Sequence, residues 1–341
     1  MKNTQPLTKI KEMVRLGLGP SEIKNCVELT AGFCNIAYFI TQEDGRKSIL
    51  KIASPDETSR MRNESCLMEN EVLAMRLAKD RISCKVPEVY FYDNSCKICS
   101  GSYFFMEVIE GADYWTLQEE LNNEDKAKIN FAVGNLVKEI SGIKGTYFGS
   151  LGNPNARFDT LSKWIYYLLK NVVLDAEDKD IDYFIPKTDL FSLFETDRTC
   201  FDDFNDPCLV HYDLWEGNIF VESKKITGII DWERAMFSDP LMEDRFRAQK
   251  CSQDFLNGYS NRSFTYNEKR RLLWYDIILF LSMMNEGSFR NYPDDSTYNY
   301  AMPLYKSSLE KIKTGLSELP IVVSTEGLVI EDLLCPDDQR N

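Results

Sequence analysis

The sequence predicts an α+β fold in two lobes, a small β-rich lobe followed by a larger, mainly helical one. Three features predict it. Short runs rich in β-forming residues crowd the first third, with one helical pattern among them. From Gly111 on, the apolar spacing turns helical. The two patterns meet near 107–111, which divides the chain into residues 1–107 and 108–341.

In chain order, Leu7, Ile10, Met13 and Val14 recur at helical spacing until Gly19-Pro20 ends the pattern. NCVELTAG, NIAYFITQ and KSILKIA then read as strands, and Asp44-Gly45 between the last two is a hairpin signal. Leu67, Val72, Met75 and Leu77 punctuate charged residues and predict a helix over Asn63–Lys79. VPEVYFYD and SYFFMEVI are two further strands, so the lobe is built on a largely antiparallel sheet. In the second part, Asn122–Ile140 and Thr160–Leu174 read as helices. Thr265 with Glu268 forms a capping-box pattern ahead of a helix to about Asn285. CLVHYD, NIFVE and ITGIIDW are short β-like pieces within this helical half.

Composition narrows the function classes. The 341 residues suffice for a substantial core. IILFLSMM is too short to span a bilayer and suits a buried helix. MKNTQPLTKIKEMV lacks the apolar stretch of a secretory signal, so a cytoplasmic protein with no membrane partner is expected. The 10 cysteines are scattered and read as reduced thiols. Cys96 and Cys99, with Cys84 upstream, lack a fourth metal ligand. A net charge of −14 argues against a nucleic-acid partner and is compatible with a cationic ligand.

The chemistry concentrates in LVHYDLWEGNIF, residues 209–220, which holds His211, the only histidine. The spacing H-x-D-x-x-x-x-N is that of a kinase catalytic loop. Phosphoryl transfer needs a carboxylate beside the attacking hydroxyl and hard oxygen ligands for magnesium. Asp213 suits the first task and Asn218 the second, while His211 reads as a brace for the loop. In IIDWE, Asp231 ends an apolar strand, a rigid place from which a carboxylate can hold Mg²⁺ against phosphate oxygens. Lys51 lies inside the apolar run SILKIA and needs an anion, because desolvating an ammonium alone is costly. Glu71 is one candidate, with Glu64 and Glu69 as others. The turn at residues 30–35, including Gly32 and Asn35, offers backbone N–H groups to phosphates. Backbone groups at Glu107 and Val108 are candidates for an adenine edge.

ELTAGFCNIAYFI, ILKIA, NEVLAMRL, FFMEVIEG, HYDLWEGN and IIDWERAMFSDP follow one another between about Val27 and Arg247. In this order the chain resembles the aminoglycoside phosphotransferase family, small-molecule kinases with the protein-kinase-like fold. Choline and ethanolamine kinases, fructosamine kinases and homoserine kinases of this type are its relatives. The resemblance implies ATP (or GTP) and Mg²⁺ as cofactors, bound between two lobes. It implies Asp213 as catalytic base, Asn218 and Asp231 as Mg²⁺ ligands, and Lys51 with Glu71 as the phosphate-anchoring pair. The acceptor would be a small-molecule hydroxyl, on an aminoglycoside-like antibiotic, an amino alcohol or a sugar, recognised by helices of the second lobe.

There are departures. Tyr212 stands where the family commonly has glycine, Ser238-Asp239-Pro240 where Gly-Asp-Pro is frequent, and LMEDRF follows. Asp231-Trp232-Glu233 occupies the place of the protein-kinase DFG, which favours a small acceptor. An atypical protein kinase and a noncatalytic nucleotide-binding scaffold are the alternatives. The scaffold is disfavoured because base, metal ligands and lysine are all present. An acidic lip (Asp175, Glu177, Asp178, Asp180, Asp182) or an aromatic cage (Trp115, Trp164, Tyr166, Tyr167, Trp215) would suit a cationic acceptor. A solvated loop and ordinary core packing are the plainer readings of the same residues.

Overall fold

Period-two alternation of buried and half-buried side chains builds the first sheet in the computed structural model, which describes residues 3–29, 35–55, 60–247 and 250–315. Helix α1 (Leu7–Leu18) precedes strands β1 (Ile23–Leu29), β2 (Ile36–Gln42) and β3 (Lys47–Ile52). Helix α2 (Leu67–Ala78) follows, then β4 (Val89–Asp93) and β5 (Tyr103–Met106). The five strands form one antiparallel sheet in the order β1-β2-β3-β5-β4.

The two faces of this sheet have different partners. Leu50, Ile52 and Phe105 pack with Ile10, Met13 and Val14 of α1. Lys51 is on the other face, level with Ala37 on β2 and Phe104 on β5. Phe104 there joins Met68, Val72 and Met75 of α2. One residue of register thus decides that Lys51 looks toward α2 rather than α1. Helix α2 starts at Leu67, four residues later than the apolar spacing predicts. Cys66 takes a left-handed φ of 57° at its start, and the side chains before it bind the second lobe instead of winding into a turn.

After residues 107–111 come β6 (Ala112–Asp113), α3 (Tyr114–Leu117), α4 (Asn123–Ser141), β7 (Phe148–Ser150), β8 (Arg157–Phe158), α5 (Leu161–Asp178) and α6 (Lys187–Asp202). Then follow β9 (Cys208–Val210), β10 (Ile219–Glu222), β11 (Lys225–Ile229), β12 (Met236–Ser238), α7 (Gln253–Tyr259), α8 (Tyr266–Arg290) and α9 (Ser296–Thr314). Two small sheets, β11-β10-β6 and β8-β7-β12-β9, frame the loops that carry the motif residues. The expected capping box of Thr265 and Glu268 opens α8, which runs five residues beyond Asn285.

Helices α6 and α9 are absent from the sequence expectations, for physical reasons. In α6 the buried Asp197 interrupts the apolar stripe, and it is satisfied by Arg270 and the Trp274 indole, 2.8 Å away, both on α8. Pro303 lies inside α9, where sequence rules place a break. Asp175, Glu177 and Asp178 are not a lip between helices but the end of α5, and Asp175 is fully buried against Arg62. Nor do the five aromatic residues make one cage. Trp164 and Tyr167 stack with each other beside Phe158, while Trp115 and Trp215 pair elsewhere with ring centroids 6.2 Å apart. Among the described residues no helix is long and apolar enough to cross a membrane.

Candidate active site

The loop from His211 to Asn218 connects β9 to β10, and Asp231 follows β11. Strands β10 and β11 form an antiparallel hairpin turned by Ser223 and Lys224, both in left-handed conformations. That hairpin returns Asp231 to the loop it left. Ile230 closes the connection with both of its backbone groups. Its N–H donates to the Asn218 carbonyl (3.0 Å), and its carbonyl lies 3.0 Å from His211 Nε2.

A carbonyl can only accept, so His211 carries its proton on Nε2. The ring is fully buried against Trp232, and burial pushes its pKa down to about 4. It is therefore a neutral brace at physiological pH. Tyr212 and Asp231 both adopt left-handed φ values, 72° and 65°. Such backbone is costly for side-chain-bearing residues and persists only where the surroundings impose it.

Glu243 imposes much of it. This buried carboxylate accepts from the backbone N–H groups of His211 (3.1 Å), Tyr212 (3.1 Å), Leu214 (3.2 Å) and Asp244 (3.0 Å). Burial raises its pKa to about 7 against the opposing pull of those donors. Nothing local in LMEDRF announces this role, because three of the four partners lie about thirty residues away in the chain. Glu243→Gln would turn one acceptor oxygen into an N–H donor facing donors. It is expected to cost about 1–3 kcal/mol of stability, read from the denaturant midpoint at constant m. An unchanged midpoint would mean that the loop holds its shape without Glu243.

Asp213 and Asn218 meet across this loop. Asn218 Nδ2 donates to the Asp213 carbonyl (2.8 Å), which leaves Oδ1 of Asn218 as an acceptor oxygen. Burial raises the Asp213 carboxyl to about 8, with Arg234 drawing it down and Asp231 and Asp244 pushing it up. Arg234 itself is held by Glu64 (3.2 Å) and Glu286 (3.0 Å), and Arg290 bonds the same two carboxylates.

Lys51 sits among three carboxylates. Its Nζ is 2.7 Å from Glu71, 2.7 Å from Asp231 and 3.3 Å from Glu233. Burial works to lower the ammonium's pKa, but Asp231, Glu71 and Glu233 together hold it well above its ordinary range. Burial pushes Glu71 up to about 8, further than the Lys51 ammonium draws it back. At Asp231, by contrast, the ammonium outweighs burial and keeps that carboxyl low. Of the two other sequence candidates for Lys51, Glu64 turns to Arg234 and Arg290 instead.

Asn35 Nδ2 donates to Glu233 (2.8 Å), so its side chain faces this cluster. Gly32 lies outside the described residues. Glu107 commits its N–H to Glu88 (2.9 Å) and its carboxylate to Lys85 (2.7 Å), and Val108 follows half-buried. Glu233 and Arg234, like Glu243, are residues to which sequence reasoning gave no role in the site. Their signal was a run of charge directly after an apolar strand.

Three carboxylates, Glu71, Asp231 and Glu233, bring ligand atoms within 4.8 Å of one another and share one ammonium. These donors are hard oxygens in excess negative charge, a set that suits a hard divalent cation.

A family model described as the phosphotransferase enzyme family (APH) matches residues 25–243. No curated protein sequence matches the chain. Among solved structures, the chain is similar to a thermostable mutant of aminoglycoside phosphotransferase APH(4)-Ia in ternary complex with AMP-PNP and hygromycin B. That similarity has a TM-score of 0.60 at 16% identity, over 90% of this chain and 99% of that one. The streptomycin-ATP-APH(2")-IIa ternary complex is similar with a TM-score of 0.58 at 13% identity, over 93% of this chain and 99% of that one. A putative aminoglycoside phosphotransferase from Ralstonia eutropha JMP134 is similar with a TM-score of 0.61 at 10% identity, over 91% and 98%. At these identities the structures speak to fold, and they carry the protein-kinase-like architecture. The family match spans well over half of the sequence, and the chain belongs to the aminoglycoside phosphotransferase family of phosphotransferase enzymes.

Proposed function

We propose that this protein transfers the γ-phosphate of ATP (or GTP), with Mg²⁺, to a hydroxyl of a small molecule. One observation carries the reading. Lys51 Nζ bonds Glu71 and Asp231, both at 2.7 Å, although these carboxylates come from a helix and a loop 160 residues apart. Such a clasp joins a phosphate anchor to a metal-side carboxylate across the cleft between residues 1–107 and 108–341.

In this reading Asp213 orients the acceptor hydroxyl and accepts its proton as the oxygen bonds the γ-phosphorus, while the bond from that phosphorus to the β–γ bridging oxygen breaks and ADP (or GDP) leaves. Lys51, positioned by Glu71, holds α- and β-phosphate oxygens. Asn218 and Asp231 would hold Mg²⁺, with Glu233 beside them, and the ion would offset charge on the phosphates. The Glu107 carbonyl and the Val108 backbone would meet the adenine, and the segment with Gly32 would cover the phosphates.

A cavity adjoins the site at Tyr212, Glu233 and Arg234 and reaches Trp164, Leu168 and Asp175 of α5. Its mixture of apolar walls and carboxylates fits an acceptor such as an aminoglycoside-like antibiotic, an amino alcohol or a sugar.

The testing experiment is ADP release from Mg-ATP across aminoglycosides, macrolides, amino alcohols, sugars and nucleosides, with Asp213→Asn run alongside. Acceptor-dependent release, lost in the variant, is the expected result. Phosphate incorporation into a protein substrate without any response to the small alcohols would replace this reading with a protein kinase.

A further inference from the structure

Asn70 precedes Glu71 on α2 and is 3% exposed. Its Nδ2 donates to the carbonyls of Glu233 (2.8 Å) and Ala235 (2.6 Å). Its Oδ1 accepts from Ser150 Oγ (3.1 Å), Leu151 N–H (2.9 Å) and Gly152 N–H (3.0 Å). Both donor hydrogens are used and the oxygen takes three bonds, close to the most an amide can make. The approach needs glycine at 152, where a Cβ would stand 2.7 Å from Asn70 N.

The residues ahead of α2 repeat the pattern. Asn63 donates to the Leu168 carbonyl (3.3 Å) and accepts from Asn171 (2.8 Å). Glu64 binds Arg234, and Arg62 binds Asp175. Toward the five-stranded sheet α2 instead offers Met68, Val72 and Met75, with the Glu71–Lys51 ion pair. Directional hydrogen bonds fix position, whereas apolar surfaces tolerate sliding.

We infer that Asn70 is a positioning residue for phosphoryl transfer. It joins the helix bearing Glu71 to the segment bearing Asp231 and Glu233, so that Lys51 of the sheet meets carboxylates set in place relative to one another. The inference rests on the phosphotransferase reading.

Asn70→Asp tests it, because the aspartate keeps an acceptor for Ser150, Leu151 and Gly152 but loses both donors to the 233 and 235 carbonyls. The Mg-ATP dissociation constant, measured by calorimetry, is expected to rise about tenfold in the native background and less than about twofold beside Lys51→Met. The loss in Tm persists in both backgrounds. Equal effects on affinity in both would reduce Asn70 to packing and overturn the inference. Should the variant not fold, hydrogen exchange of the native chain with and without Mg-AMP-PNP decides. Nucleotide-induced protection confined to β1–β3, with α2 already protected, supports the inference. Protection gained by α2 together with β1–β3 overturns it. Failure of the parent reading looks different: the native chain would then show no ADP release in response to any small alcohol, whether or not it binds Mg-ATP.

Discussion

Asp213→Asn is expected to slow phosphoryl transfer by about 10²–10⁴-fold, the usual worth of a positioned general base, while Mg-ATP binds nearly as before. The amide keeps the shape of the side chain and its place beside Asn218 but cannot accept the acceptor's proton. The electrostatics add a second expected result. Burial raises the Asp213 carboxyl from 3.8 to about 8 in the folded chain. Between those values the native state keeps a proton that the unfolded chain has released. Stability from this group therefore falls as pH rises through the window, and the full penalty is present above about pH 8. An asparagine carries no such penalty. Asp213→Asn should then raise Tm in the nucleotide-free protein by a few degrees at pH 8.5, and little at pH 5. Activity should run the other way in the native chain, with kcat/KM climbing toward pH 8 as the base loses its proton. A variant that keeps turnover would remove Asp213 from the role of base. A variant inactive but no more stable at high pH would leave the base in place and remove the stored electrostatic cost.

What could be read from the sequence is what local pattern encodes. The strand alternation that puts Lys51 opposite to Leu50 lies within six residues, and H-x-D-x-x-x-x-N lies within eight. The capping box of α8 spans four. Glu243 and Asn70 escape such reading because each earns its role through partners far along the chain. Glu243 reaches back to His211, and Asn70 reaches forward to Glu233 and Ala235. Arg234 is similar, pairing with Glu64 from the first lobe and Glu286 from α8. The acidic run after Leu174 misled for a related reason. Asp175 looks like part of a solvated stretch until Arg62, 113 residues earlier, is seen to neutralise it in the interior. Tertiary pairing of charges leaves almost no trace in a single sequence, whereas periodicity and capping leave a clear one.

Asp231→Asn carries the other large expectation, and its sign depends on the metal. In the protein, Asp231 shares Lys51 with Glu71 and Glu233. Three carboxylates around one ammonium repel a bare triphosphate, and only a divalent cation turns that repulsion into attraction. Removing one carboxylate should therefore weaken Mg-ATP binding by at least about tenfold, as loss of metal-site groups commonly does. Binding of ATP in EDTA should move the opposite way or stay level, because Lys51 is then less occupied and the field less negative. The ratio of the two dissociation constants thus collapses, whatever the change in stability. Asparagine is the right substitution here, since Asp231 holds a φ of 65° that asparagine tolerates and alanine resists. Alanine would mix a backbone cost into the affinity. If the metal-free and metal-bound affinities fell by the same factor, Asp231 would be acting on Lys51 alone and not on the cation. Asn218, whose Oδ1 is left as an acceptor beside Asp213, would then be the metal-side residue to vary next.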